Sequence, residues 1–209
     1  MVQIVQSSFE ILTPIDSQNI LKHIERCGRT CYQSFDKASE GTAERFVKHI
    51  TERHHESVLE HASISVKLIL DRGITHELVR HRLASFSQES TRYCCYAKEK
   101  FLGEITVIKP CELEEGTVAY GKWLESMKEA EKSYLDLLEC GVKPETARSV
   151  LPTCLKAEIV VTANLREWRH IFYMRTSSAA HPDIRLPMRK LCEEFRKHIP
   201  VVFDDITWD

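Results

Sequence analysis

The most regular pattern in the chain lies at residues 62–70, where the sequence reads ASISVKLIL. Apolar Ile64, Val66, Leu68 and Leu70 recur there at every second position. Since successive side chains of a strand point to opposite faces, this period of two predicts a β-strand with one face in the core. It is the most clearly predicted strand of the chain.

Further elements are predicted on both sides of that strand. Towards the N-terminus the patterns predict a strand at 4–11 and helices at 17–32, with Ser17 as N-cap, and at 42–53. Towards the C-terminus they predict a short helix before Arg80, strands at 105–108 and 157–161, a long amphipathic helix at 117–140 that ends at Gly141, a short helix from Pro144, and closing helices at 165–175 and 185–198. Because strands and helices follow no regular βαβ rhythm, the sequence predicts an α+β fold, with a mixed or antiparallel sheet packed against helices.

Length and charge limit the class of protein. A chain of 209 residues is most simply a single domain, spanning 1–209, with room for a good core. The net charge of −2 argues against a protein that coats nucleic acid. A local cluster of arginines on such a near-neutral chain suits a small anionic ligand better.

Cysteine usage and hydropathy predict a cytoplasmic protein without a membrane segment. The N-terminal residues carry no basic flank before an apolar run, so no signal peptide is expected. No stretch approaches the roughly 20 apolar residues that span a bilayer. The eight cysteines lack metal-site spacing and are expected to be reduced, although Cys27 and Cys31 are spaced to supply half a metal site.

A cationic segment at residues 80–93, RHRLASFSQESTRY, is the most informative feature for function. Its arginines offer planar guanidinium groups that suit phosphate and carboxylate, and an extended backbone would point Arg80 and Arg82 to the same side with His81 opposite. The alternative is a solvated charged turn. The chain contains only seven glycines and no G-x-G-x-x-G or P-loop motif, so a bound nucleotide would have to be held by side-chain cations.

The order of residues in this segment resembles the signature of the flavin-dependent thymidylate synthases. Arg-His-Arg at 80–82 is followed, after seven residues, by Ser90, and Ser85, Arg92 and Tyr93 also match the family pattern. Further similar stretches are RTCYQS at 29–34, HESVLEH at 55–61, ARSVLP at 147–152, and the pattern Asn164-x-Arg166 followed by Arg175. The resemblance therefore runs from about residue 29 to residue 185.

The resemblance implies the fold and the activity of that family. The expected reaction is the reductive methylation of dUMP to dTMP, with methylenetetrahydrofolate as one-carbon donor, reduced FAD as reductant and NADPH as the source of electrons. It also implies a homotetramer with active sites at subunit interfaces, and no enzyme nucleophile. The expected partners are small molecules, with neither nucleic acid nor membrane.

The resemblance also implies roles for individual residues. Those expected to bind dUMP are Glu77, Arg80, Gln88, Glu89, Ser90, Thr91, Arg92, Arg148 and Arg175. Those expected to bind FAD are Ser57, Arg80, His81, Arg82, Gln88, Asn164, Arg166 and His170, while His55 is expected to line the folate and flavin cavity. Four positions depart from common family patterns: Glu77 replaces Gln, Thr91 replaces Gly, His170 replaces Asn and Ala179 replaces His.

Helical periodicity, together with the resemblance, indicates Arg175 as the candidate catalytic residue. At about 100° per residue, Arg175 falls within the apolar stripe formed by Trp168, Ile171 and Phe172. An arginine on the core side of a helix needs a buried anion or a set of acceptors. The alternative is that the side chain reaches out to solvent. A desolvated guanidinium could stabilise the negative charge that develops on a pyrimidine ring.

Three other interpretations of the sequence stay open at this point. Arginines interleaved with Phe86, Tyr93 and Tyr96 could form a module that binds RNA or single-stranded nucleic acid. The side chains of His55, Glu56 and His61 could serve a metal-dependent hydrolase, although they lack H-E-x-x-H spacing. The pair Pro110-Cys111 resembles, in part, the nucleophile setting of cysteine-dependent thymidylate synthases.

Overall fold

The computed structural model describes residues 2–208, apart from the side chain of Lys100. Within these residues the strands are β1 (Gln3–Val5), β2 (Ser8–Ile11), β3 (Ser63–Asp71), β4 (Ser85–Gln88), β5 (Thr106–Ile108) and β6 (Lys156–Asn164). The α-helices are α1 (Ser17–Thr30), α2 (Thr42–Glu52), α3 (Arg72–Leu78), α4 (Val118–Glu139), α5 (Pro144–Ala147), α6 (Leu165–Thr176), α7 (Pro182–His198) and α8 (Pro200–Phe203). Short 3-10 helices lie at Phe35–Lys37, Glu56–His61, Glu99–Phe101 and Arg148–Val150. The predicted α+β class is confirmed.

The strands form two sheets. One is four-stranded with the order β2-β3-β6-β4, and the other is the parallel pair β1-β5, with Ile4 opposite Val107. In β3 the four alternating residues Ile64, Val66, Leu68 and Leu70 are completely buried. The period of two in the sequence therefore identified a strand of the larger sheet and its buried face.

The predicted strand at 4–11 is wrong as a single element. The structure has two strands here, β1 and β2, and each belongs to a different sheet. Three consecutive polar residues, at positions 6–8, separate the apolar Val5 from Phe9. Without an apolar side chain, that stretch has little to hold it against a core as a continuous strand.

Helix boundaries follow the sequence signals with two exceptions. The N-cap of α1 is Asp16 rather than Ser17, since Oδ1 of Asp16 accepts the N–H of Asn19 at 3.0 Å. A carboxylate at this end also interacts favourably with the helix dipole. Helix α7 begins at Pro182, three residues before the predicted start, because proline suits the first turn of a helix.

The long helix α4 agrees closely with its prediction. Thr117 accepts the N–H of Tyr120 at its start, and Gly141, with φ of +81°, ends it in a left-handed conformation that glycine tolerates. Its buried residues are Met127, Glu131 and Tyr134, one per turn on one side. None of the helices in residues 2–208 is both long and apolar enough to cross a membrane.

Internal contacts divide the chain into two compact units. The first comprises residues 2–8, 68–80 and 87–159, and its core includes Tyr96, Ile105, Val107, Met127 and Tyr134. The second comprises residues 9–67, 81–86 and 160–208. It remains a prediction that residues 1–209 form a single functional domain.

Four aromatic rings form the centre of the second unit. Trp168, Phe172, Phe195 and Phe203 are completely buried, and their neighbouring ring centroids lie 5.2–5.8 Å apart. The indole N–H of Trp168 donates to the carbonyl of Ile64 at 3.0 Å, so its polar atom is satisfied. This packing fixes α6 against α7 and against β3.

Two adjacent aromatic residues of α6 test this packing. Phe172→Ala removes a fully buried ring and should lower the free energy of unfolding by about 3–5 kcal/mol. Tyr173→Ala is the matched control, because Tyr173 is 71% exposed, and should change it by about 0.5 kcal/mol or less. Urea denaturation followed by circular dichroism measures both; equal losses would contradict the assigned core.

Candidate functional site

The cationic segment leaves α3 as a turn and enters β4. Between them, Arg80 and Arg82 are exposed whereas His81 is 6% exposed. The side chains alternate in exposure as expected, but the backbone is not extended here, because the N–H of Ala84 donates to the carbonyl of His81 at 3.1 Å and closes a turn. Neither arginine forms an ion pair with another residue among 2–208. Both guanidinium groups are therefore available to a ligand.

In the first unit, Gln88 and Glu89 leave β4 with different surroundings. The Gln88 amide donates to the hydroxyl of Thr75 in α3 at 2.7 Å. Both carboxylate oxygens of Glu89 are engaged within the unit: Oε1 accepts from the Tyr96 hydroxyl and Oε2 from Nζ of Lys156, each at 2.9 Å. The Glu89 side chain thus acts as an internal anchor of this unit.

The charges around Glu89 reinforce one another. Burial, and then the Glu89 carboxylate, raise the pKa of Tyr96 above its usual range, so the phenol remains a donor. Burial alone would lower the pKa of Lys156, but its hydrogen bonds to Glu89 and Glu158 outweigh burial and raise it. The phenol of Tyr96 and the ammonium of Lys156 therefore both serve as donors to Glu89.

Two exposed arginines in the same unit accompany the turn that follows β4. Arg148 Nη1 donates to the hydroxyl of Thr91 at 3.1 Å, and Thr91 itself is 5% exposed. Arg92 lies 3.9 Å from Glu145, at the limit of an ion pair, and over the ring of Tyr93. Its guanidinium is thus only weakly held.

The remaining dUMP candidates of this unit are Glu77 and Ser90. Glu77 is half-buried in α3. The hydroxyl of Ser90 accepts the backbone N–H of Arg92 at 3.3 Å, which stabilises the turn. The first unit therefore contains every predicted dUMP residue except Arg175.

In the second unit, His81 meets helix α6. Asn164 caps this helix as predicted, because its Oδ1 accepts the N–H of Glu167 at 2.8 Å. The Glu167 carboxylate faces the ring of His81, with Oε1 at 3.5 Å from Nδ1. On the other side of that ring, Nε of Arg175 donates to Nε2 of His81 at 3.1 Å. His170 adds an edge-to-face ring contact with His81, at 5.5 Å between centroids.

The electrostatics of this cluster make His81 a neutral base. Burial, then the charges of Arg175 and His170, lower the pKa of His81 to about 4. Because the Arg175 N–H always donates, Nε2 of His81 must carry a lone pair, and the single ring proton resides on Nδ1. The contact with Glu167 is consequently made by a neutral N–H rather than by an imidazolium.

The same cluster has the composition of a metal site. His81, Glu167 and His170 place one ligand atom each within 4.8 Å of one another. However, the Arg175 guanidinium occupies Nε2 of His81 and puts a positive charge beside it, which opposes a second cation. The geometry therefore favours hydrogen bonding over metal binding.

The structure agrees with the predicted apolar stripe of α6 but differs from the predicted burial of Arg175. Trp168, Ile171 and Phe172 are completely buried, as the apolar stripe predicts. Arg175 is half-buried rather than fully desolvated, and the acceptor at its Nε is a neutral imidazole rather than an anion. It neither lies deep in the core nor simply extends into solvent.

Other predicted flavin residues of the second unit differ in their accessibility. Ser57 and His55 are exposed, at the 3-10 helix Glu56–His61 and just before it. Arg166 is exposed and pairs with Glu60, with Nη1 2.6 Å from Oε1. A ligand of Arg166 would thus have to share it with Glu60.

The alternatives that involve His55 or Cys111 gain no support. Glu56 pairs with Arg169 at 3.0 Å, and within residues 2–208 the only cluster of three potential ligands is the one at His81. Cys111 is exposed in a turn, and the eight cysteines are all free thiols.

Sequence reasoning missed several partners of the site residues. Thr75, Tyr96 and Lys156 bind predicted residues from distant positions that no local pattern links to them. The sequence indicated Glu167 only as the third residue after the capping Asn164. Its position next to His81 depends on tertiary structure.

Comparisons with known proteins identify relatives over most of the chain. A family model described as thymidylate synthase complementing protein matches residues 15–201. The flavin-dependent thymidylate synthase of Pyrococcus furiosus is 35% identical over 185 residues, which cover 88% of this chain and 75% of that protein. The protein of the same name from Pyrococcus abyssi is 37% identical over 166 residues, covering 79% and 67%.

Solved structures give the same fold. The UMP/dUMP methylase PolB from Streptomyces cacaoi, bound with 5-Br dUMP, has a TM-score of 0.81. The match covers 97% of this chain and 95% of that one at 21% identity, so it establishes the architecture alone. From the family model and the sequence relatives, the chain belongs to the family of the flavin-dependent thymidylate synthases.

Proposed function

We propose that this protein converts dUMP to dTMP, with methylenetetrahydrofolate as one-carbon donor, FAD as redox cofactor and NADPH as electron donor. The proposal rests on which arginines are exposed and lack an acidic partner. Arg80 and Arg82 are exposed and have no acidic partner within residues 2–208, whereas Arg29 and Arg169 are bound to carboxylates of their own unit. Exposed, unneutralised guanidinium groups are what two phosphorylated ligands require.

Arg82 and Ser57 are assigned to the pyrophosphate of FAD. The Arg82 guanidinium and the Ser57 hydroxyl are both exposed, and they offer a charge and a neutral donor to phosphate oxygens. His81 and His170 are aromatic groups suited to contact with a flat ring system. FAD, when bound in its reduced form, supplies a hydride, and the protein contributes binding and orientation.

For dUMP we assign the phosphate and sugar to Ser90, Arg92 and Arg148. Arg148 is held in place by the Thr91 hydroxyl, while the 3.9 Å separation between Arg92 and Glu145 leaves Arg92 free to exchange its partner. Glu77 and Gln88 belong to the same unit and are assigned to the remaining polar atoms of the nucleotide. The Glu89 carboxylate, already engaged twice, supports this region from within.

Arg175 is assigned the catalytic role. Carbon 5 of uracil is a weak nucleophile, and the proposed reaction uses no enzyme nucleophile to activate it. A guanidinium held at the edge of the uracil ring would stabilise the negative charge that develops there as carbon 5 attacks. Because His81 accepts from Nε, the guanidinium plane of Arg175 is fixed before the substrate arrives.

We further propose a homotetramer in which different subunits complete each site. The predicted residues lie in two separate units of the chain, with dUMP candidates in the first and most FAD candidates in the second. His55 is assigned to the cavity shared by folate and flavin, which its exposure before the Glu56–His61 helix allows.

Ligand binding tests the proposed substrates directly. FAD and dUMP, each at about a hundred times its Kd, should stabilise the fold by about 2.7 kcal/mol and raise the melting temperature by several degrees. Deoxyuridine is the matched control, because it lacks the phosphate that the arginines would bind, and should have little effect. If neither FAD nor dUMP shifts the thermal unfolding curve, the proposal is wrong.

The assignment of Arg175 has a separate test. Arg175→Ala should reduce dUMP-dependent tritium release from carbon 5 of the pyrimidine by about 100-fold or more, with FAD absorbance retained. Arg45→Ala, which removes an exposed arginine of α2, should leave turnover near the wild-type value. Turnover of the Arg175 variant close to that of the control would remove Arg175 from the mechanism.

A further inference from the structure

We propose that Glu167 is a positioning residue that acts through His81 to orient the guanidinium of Arg175. This inference rests on the proposed catalytic role of Arg175. It assigns to Glu167 a function that its place in the first turn of α6 did not indicate.

The first link is the hydrogen bond between Arg175 and His81. Its 3.1 Å length joins a donor that cannot lose its proton to a ring nitrogen that must be a bare acceptor. Protonation of Nε2 would remove the acceptor and place two cations in contact. The orientation of Arg175 therefore depends on which nitrogen of His81 carries the proton.

The second link is the contact between His81 and Glu167. Nδ1 of His81 lies 3.5 Å from Oε1 of Glu167, so a proton on Nδ1 points to a carboxylate. A carboxylate beside one ring nitrogen favours the tautomer with hydrogen on that nitrogen. Glu167 thus stabilises the form of His81 that can receive Arg175.

Helix geometry explains how residues eight apart share one imidazole. They are separated by about 12 Å along the axis of α6. Helical side chains lean towards the N-terminus, so Arg175 extends back in the direction of Glu167. The ring of His81 then bridges the two side chains, and His170 lies edge-on to it at 5.5 Å.

Burial strengthens both links. The side chains of His81 and Glu167 are 5% and 6% exposed, so little water competes for their polar atoms. Burial raises the pKa of Glu167, which the charge of His170 partly opposes. The Arg175 guanidinium therefore donates to the neutral imidazole of His81, whose other nitrogen contacts the Glu167 carboxylate.

The experiment uses the FAD-loaded protein and three variants. Glu167→Leu removes the acceptor, and Glu167→Gln keeps an acceptor oxygen at the same distance. Glu131→Leu removes another buried carboxylate, in α4, which accepts the backbone N–H of Ile105. Nitrogen-15 NMR of labelled histidines near neutral pH reports the His81 tautomer. Tritium release gives kcat and KM for dUMP.

In the wild type, His81 should carry its proton on Nδ1. Glu167→Leu should mix the two tautomers and lower kcat roughly 10- to 100-fold, with a much smaller change in KM. Glu167→Gln should restore most of both properties. Glu131→Leu should lower stability without altering the tautomer or kcat.

Two results would overturn the inference. One is a Glu167→Leu variant with the wild-type tautomer and kcat, and the other is a loss of kcat no larger than that of Glu131→Leu. If Glu167→Leu does not fold, Glu167→Asp replaces it, since the shorter side chain keeps the charge but withdraws the acceptor from His81. A wild-type protein without thymidylate synthase activity would contradict the proposed function, while the NMR result would still decide whether Glu167 controls His81.

Discussion

The hydrogen bond from Arg175 to His81 is the interaction on which the chemistry of the second unit depends. It joins the cationic segment to helix α6 and settles the protonation of an imidazole that is already hard to charge because it is buried. A histidine with its usual pKa would be protonated in part near neutrality and would repel the guanidinium. The depressed pKa of His81 and the position of Arg175 are therefore two aspects of one arrangement.

The parts of the fold that could be predicted are those in which local periodicity and burial agree. Strand β3 and helix α4 each repeat one pattern over many residues, so the core selects the same face that the sequence indicates. Local periodicity did not reveal that residues 4–11 form two strands, because the two halves have similar composition. The sheet that each strand joins depends on partner strands far along the chain. Asp16 and Ser17 are both good caps, and only the backbone conformation distinguishes them.

The candidate site shows the same division between local and distant information. Family motifs located Arg80, Arg82 and Arg175, because spacing along the chain identifies them. They did not reveal that Arg166 is paired with Glu60, or that the Glu89 carboxylate is shared between a phenol and an ammonium. Each of these contacts joins residues that are separated in sequence, so only the three-dimensional structure shows them.

Charge neutralisation thus distinguishes two classes of arginine in this protein. Some are structural, with their donors directed to carboxylates or carbonyls of the same unit, and others remain exposed for a ligand. Motifs alone do not separate the classes, because Arg82 and Arg166 both lie in stretches that resemble the family. Their surroundings do, since Arg166 is paired with Glu60 whereas Arg82 has no acidic partner within residues 2–208.

Arg169 has a practical consequence for handling the protein. Its guanidinium bridges Glu56, Asp205 and the carbonyl of Val202, so a helix in the middle of the second unit is tied to the last few residues of the chain. Removal of Val202 and the residues after it would leave the largely buried Arg169 guanidinium with Glu56 alone of these three partners. A shortened form of the protein should therefore retain Val202 and Asp205.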